Sequence, residues 1–101
     1  MKIIAITACP TGIAHTYMAA ESLERAGQLL GHEIKVETQG AMGIENELTE
    51  ADIRGAQVLV IASEVPIQGR ERFRDVARVL EVPVQLAIKH PAEIFGRLTP
   101  A

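Results

Sequence analysis

Two short apolar runs constrain the fold more than any other feature of this chain. Residues 2–8 read K-I-I-A-I-T-A and residues 57–62 read Q-V-L-V-I-A. The first is rich in β-branched residues and reads as a buried strand. The second is apolar on both faces, as expected of a central parallel strand covered from either side. A sheet with two such strands needs further layers above and below it. The chain is 101 residues long, which is one domain, and 48% of it is apolar. With no Trp, one Tyr and two Phe, its core must be mainly aliphatic. A domain this small buries a modest share of its surface, so short, well-patterned elements are expected.

The remaining segments supply those layers. The first run stops at Cys9-Pro10-Thr11-Gly12, a turn by composition. Residues 13–30 then repeat Thr16, Ala19, Ala20, Leu23, Ala26, Gly27 and Leu30 at helical spacing, with small residues that let a helix lie close to a sheet. Gly31 is placed to end that helix in a left-handed conformation. Residues 34–39, I-K-V-E-T-Q, alternate strictly and suit an edge strand with one wet face. Residues 40–43 read as a flexible loop, and Thr49 with Asp52 resembles the start of a short helix over 50–54. Residues 70–90 fit a helix through Phe73, Val76, Ala77 and Leu80, or a strand in which Val79, Glu81 and Pro83 alternate with Leu80, Val82 and Val84, demoted to an edge by its proline, and the pattern alone leaves both open. Pro91 suits the first position of a last helix through Leu98, and Leu98-Thr99-Pro100-Ala101 reads as a tail or trimmed linker. The alternation implies an α/β fold: a three-layer α/β/α sandwich, Rossmann-like, on a four-stranded parallel sheet. With the most apolar strands central and right-handed crossovers, the order is 2-1-3-4.

In such a sheet, ligands bind beyond the carboxyl ends of the strands where the order reverses, between strands one and three. The loop there is Cys9-Pro10-Thr11-Gly12-Ile13-Ala14-His15-Thr16. A thiol at this place faces the N-terminus of the next helix, whose unpaired amides and dipole favour a thiolate and the oxygens of a phosphoryl group. Gly12 admits close backbone approach, and Thr11 and Thr16 add hydroxyl donors. A lone Cys after an apolar strand is equally read as a small buried hydrophobe. The flanking Pro-Thr-Gly and the helix start favour function. A lone His at a helix start, such as His15, is more often a cap or a surface group. His32 and His90 read as surface residues.

Low-molecular-weight tyrosine phosphatases place a Cys in the same loop with an Arg six residues later to clamp phosphate. Here that position is His15, and no obvious late Asp serves as a general acid for hydrolysis. A loop that binds phosphate without these helpers suits a carrier better than a cysteine phosphatase, which stays as the alternative. A flavodoxin-type nucleotide or flavin binder is disfavoured, since the loop has no GxGxxG or Walker pattern. One Cys and three scattered His give no metal-ligand spacing and no internal disulfide, which suits a reducing cytoplasm. No cofactor is implied. A net charge of −3 and a pI near 5.6 give no reason to expect nucleic-acid binding. No apolar run reaches the ~20 residues of a membrane span, and the first eight residues lack a signal-peptide pattern.

The run from Thr7 to Glu21, T-A-C-P-T-G-I-A-H-T-Y-M-A-A-E, resembles the active-site signature of fructose-type enzyme IIB domains of the bacterial sugar phosphotransferase system. The resemblance continues over residues 31–40 and 43–49 and in Arg72-Phe73, covering nearly the whole chain. It implies a phosphotransferase. Cys9 would be the phosphocysteine, taking its phosphoryl group from a phosphohistidine of enzyme IIA and giving it to a sugar, by family default fructose, bound in the membrane-embedded enzyme IIC. Pro10, Thr11, Gly12, Ile13, Ala14, His15 and Thr16 would form the phosphate cradle. The domain would be cytoplasmic and reach the inner membrane through IIC. The resemblance also places strand four at 77–82 and makes 84–98 mainly helical. The chain departs from the family where acidic residues usually follow strand three and a Gly-Lys pair follows Arg-Phe. Here stand Ser63-Glu64-Val65-Pro66-Ile67-Gln68-Gly69 and Arg74-Asp75-Val76. Arg70, Arg72 and Arg74 form a basic cluster, more often a solvated face than a docking surface for an acidic partner.

Overall fold

The computed structural model describes residues 1–9 and 13–98. The elements are β1 (Lys2–Ala8), α1 (Ile13–Leu29), β2 (Glu33–Gly40), β3 (Gly43–Glu45), α2 (Glu50–Gly55), β4 (Val58–Ser63), a 3-10 turn (Arg70–Phe73), β5 (Val79–Val82), α3 (Val84–Lys89) and α4 (Pro91–Leu98). The sheet runs β3-β2-β1-β4-β5. β1 is parallel to β2 and to β4, and β4 to β5, so the expected order of the parallel strands is present. The strand count differs from the expected four. Residues 40–43 close a hairpin, and β3 pairs antiparallel with β2 through Gly40↔Gly43, Gln39↔Ile44 and Thr38↔Glu45. A strand of three residues is too short to show alternation, and Gly43, at φ 91°, serves as a turn residue.

This hairpin also corrects the expectation that β2 is an edge. β3 covers its outer side, and Val36, Glu37 and Thr38 are all buried. The apolar strands behave as expected. Ile3 and Ala5 face α1, α3 and α4, in one core with Ala19, Ala20, Leu23, Ala87, Ile94 and Phe95. Ile4 and Ile6 face the other way, with Leu59 and Ile61, under Leu48, Ile67 and Phe73. Gly27 lets α1 sit close, since a Cβ there would lie 3.0 Å from Ile34 Cγ2 and 3.3 Å from Phe95 Cζ. Gly31 ends the helix at φ 81°. Leu98, expected in a tail, is buried and closes α4; residues 99–101 lie outside the described residues. His32, expected at the surface, is half-buried with its ring 5.6 Å from that of Phe95. The ambiguous stretch contains both a 3-10 turn and a strand, and α3 and α4 follow from residue 84.

The face opposite α1 is covered by short elements, and polar contacts hold them. Thr49 and Asp52 form a capping box at α2: Asp52 N donates to Thr49 Oγ1 at 3.1 Å and Thr49 N to Asp52 Oδ2 at 2.9 Å. Lys35 Nζ donates to the same carboxylate at 2.7 Å, tying α2 to β2. The Lys35 hydrogen bond and the Thr49 amide hold the Asp52 carboxyl down at about 2. Glu37 is fully buried and receives both Arg72 Nη groups at 3.0 Å, Gln39 Nε2 at 2.8 Å and Leu48 N at 2.9 Å. Burial pushes its carboxyl up, but the Arg72, Gln39 and Leu48 hydrogen bonds outweigh this and hold it below the ordinary value. Arg72 also donates from Nε to Gly69 O at 2.8 Å and stacks 4.7 Å from the Phe73 ring centre. One member of the basic cluster is therefore a structural clamp. Arg70 pairs with Glu81 at 3.2 Å, and Arg74 is exposed.

Two outcomes follow for urea and pH titrations. Arg72→Met leaves Glu37 buried without its counter-ion and should lower unfolding free energy by about 3–5 kcal/mol, with much of the loss recovered in Arg72→Met/Glu37→Leu. Both depressed carboxyls bind protons more readily when unfolded. Their contribution to stability is complete above their unfolded values, 4.5 for Glu37 and 3.8 for Asp52, and is lost as pH falls, for Asp52 through about 2. Lys35→Met should flatten the acid limb of the stability curve between pH 4 and 2, measured by circular dichroism.

Candidate active site

Cys9 follows the last residue of β1, the strand paired on both sides. The chain leaves β1 toward β2 on one side, while β4 lies on the other, so Cys9 stands where the strand order reverses. It is half-buried and packs against the α1-side core, neither sealed inside nor fully exposed. Its place follows from the strand: Thr7 pairs with Thr38 and Ala62, and Glu64 N reaches Ala8 O at 3.4 Å.

The first turn of α1 brings His15 to the same spot. His15 is exposed, and its Nδ1 lies 4.0 Å from Cys9 Sγ. Ala14 is exposed beside it. Thr16 points inward: Thr7 Oγ1 donates to Thr16 O at 3.0 Å, and the buried Thr16 Oγ1 has no hydrogen-bond partner among the described residues. Of the expected cradle, Pro10, Thr11, Gly12 and the side chain of Ile13 lie outside the described residues. Among the described residues no group of three or more His, Cys, Asp or Glu could hold a metal ion, and no helix is long and apolar enough to cross a membrane.

Two sets of side-chain contacts near the site were not anticipated from the sequence, although the topology itself brings the loop after the third parallel strand close to it. Tyr17 OH donates to Glu45 Oε1, joining α1 to β3; this hydrogen bond, with burial and the Glu45 charge, pushes the phenol up. Gly40 lies under the same tyrosine, where a Cβ would be 3.9 Å from Tyr17 Oη and from Thr16 Cγ2. The second set lies in the loop after β4. Ser63 Oγ accepts from Val65 N at 3.1 Å and donates to Val65 O. Glu64 Oε1 accepts from Val84 N at 3.0 Å, at the start of α3. Gln68 N donates to Gln39 Oε1 at 2.8 Å, and Gln39 Nε2 donates to Gln68 O at 3.0 Å. The Glu64–Val84 and Gln39–Gln68 contacts span 20 and 29 residues, so no periodic signal could have revealed them.

Comparison with known proteins identifies the family. The family model described as "PTS system, Lactose/Cellobiose specific IIB subunit" matches residues 4–97. The chain is 45% identical over 97 residues to the fructose-like EIIB component 2 of the PTS of Escherichia coli (strain K12), covering 96% of this chain and 91% of that protein. It is 51% identical over 88 residues to the 2-O-alpha-mannosyl-D-glycerate-specific EIIABC component of the same strain, covering 87% of this chain and 13% of that much longer protein. Among solved structures, a domain of the fructose-specific IIABC component of Borrelia burgdorferi superposes with a TM-score of 0.89 at 42% identity, covering 98% of this chain and 95% of that domain. Matched almost end to end by the family model and by these relatives, the chain belongs to the fructose-like IIB components of the sugar phosphotransferase system.

Proposed function

We propose that this chain acts as a single IIB phosphocarrier domain in which Cys9 is the transient phosphoryl acceptor. The observation that carries the reading is the position of Cys9: half-exposed at the carboxyl end of β1, before the 17-residue helix α1, with His15 Nδ1 4.0 Å from its sulfur. In the first step the Cys9 thiolate attacks the phosphorus of a phosphohistidine on enzyme IIA. The S–P bond forms as the P–N bond breaks, and the electron pair returns to the donor's imidazole. The backbone N–H groups of Thr11–Thr16 and the α1 dipole offset charge on the equatorial oxygens, and His15 donates an N–H to one of them. In the second step a sugar hydroxyl bound in enzyme IIC attacks the same phosphorus and releases its proton, and the thiolate is restored.

Fructose is the sugar we propose, since the family resemblance and the relative named fructose-like point to it. The mannosylglycerate-specific relative is 51% identical over the matched region, which supports the reading that sugar choice lies in the IIC partner rather than at Cys9. The domain would work in the cytoplasm, meeting the membrane only through IIC. The hydrolase alternative lacks support, because His15 stands where a phosphatase would carry its phosphate-clamping arginine.

Incubation with phosphorylated IIA should add one phosphoryl group per chain, acid-stable relative to phosphohistidine, sensitive to iodine and absent in Cys9→Ala. His15→Ala should reach the same final extent about 10- to 100-fold more slowly, the loss of one hydrogen bond to a charged group. Label persisting in Cys9→Ala, or found on His15, would overturn the reading. Continuous release of inorganic phosphate would favour the hydrolase.

A further inference from the structure

The loop from Glu64 to Gln68 has no regular secondary structure, yet it is tied at both ends. It leaves β4 beside β1, with Glu64 N directed at Ala8 O. It ends over β2, where the Gln39 side chain pairs with both backbone groups of Gln68 as a neighbouring strand would. Since β1 lies between β4 and β2, the loop must cross the end of β1. Ile67 gives the side of the crossing: it is buried with Ile6 and Ile61, in the core opposite α1. Cys9 packs in the α1-side core. The loop therefore passes the end of β1 on the side of the sheet opposite α1, and Cys9 is the residue that follows that end. At the apex, Val65 is 36% exposed and Pro66 is exposed. Gln39 is itself held by Glu37, which Arg72 clamps in turn, so the loop hangs from a buried ion pair.

We propose that loop 64–68 is a pre-shaped wall of the Cys9 site, that Val65 at its apex touches the phosphohistidine donor protein, and that Gln39 is the positioning residue that holds the wall in place. This rests on the phosphocarrier reading, because a donor delivering a phosphoryl group to Cys9 must pack over the residues beside it. A loop ordered before encounter binds without the entropy loss of ordering it on contact. The apex is apolar, so the donor surface it meets is apolar at that point. A charge placed there would be buried without a partner.

The test measures the rate of Cys9 phosphorylation at increasing concentrations of phosphorylated IIA, alongside alkylation of Cys9 by iodoacetamide. Val65→Glu changes a side chain only, since the Ser63 contacts use the backbone of residue 65. It should raise the apparent KM for the donor about tenfold or more, with the maximal rate and the alkylation rate unchanged. Gln39→Met has a similar length but neither donor nor acceptor, and it should raise KM in the same way while alkylation stays at the wild-type rate. Wild-type KM in Val65→Glu overturns the contact, and wild-type KM in Gln39→Met overturns the positioning role. A fall in maximal rate or alkylation in both, with KM unchanged, would also sink the inference, by showing that the loop acts on the thiol. Failure of the wild-type chain to be labelled at all would instead reject the phosphocarrier reading.

Discussion

The structure depends on β1 being enclosed on all sides. It is paired along one edge with β2 and along the other with β4, and every residue from Ile3 to Ala8 is buried. Each of Ile3, Ile4 and Ile6 buries an aliphatic side chain worth roughly 1.5–3 kcal/mol, and the three are divided between the two faces of the sheet. A strand held in this way cannot slip, because a one-residue shift would exchange its two faces and break both ladders. The residue that follows it, Cys9, inherits that precision. A loop residue placed by an edge strand would not.

The two faces of the sheet are held by different means. On the α1 side the cover consists of three helices, and close packing of Ala19, Ala20, Leu23 and Gly27 holds it. On the other side the cover is a six-residue helix, a 3-10 turn and two loops, too short to be secured by apolar area alone. There the buried Glu37–Arg72 pair and the Lys35–Asp52 contact fix the arrangement. A buried ion pair repays much of its attraction in desolvation, so its contribution is one of geometry more than of net stability. It selects one path for residues 64–73 out of the many that the apolar contacts would allow.

The residues most easily read from the sequence are those whose neighbours lie nearby along the chain. The helix of residues 13–29, the Thr49–Asp52 capping box, the left-handed Gly31 and the apolar strands all follow from spacings of two to four residues, and all are present. The parallel order was legible too, since apolar strands seek the centre and crossovers have one hand. The hairpin at Gly40–Gly43 was missed because its three-residue strand carries no alternation. The same silence of β3 makes β2 read as an edge, and its face reads as wet because Lys35, Glu37 and Gln39 look solvated until Arg72 and Asp52 arrive from elsewhere to partner them.

The amino-acid sequence alone determined the strand of residues 2–8 and the helix that begins at Ile13, and with them a thiol between the two, because each element needs only local periodicity. Tertiary structure decided which polar groups are buried. Glu37 and Arg72 meet 35 residues apart, and Gln39 and Gln68 meet 29 apart. A strand residue does not encode whether its charge will find a partner; only the folded arrangement of β2, the 3-10 turn and the loop between them supplies one, and so turns an alternating, apparently wet strand into the buried anchor of the loop beside Cys9.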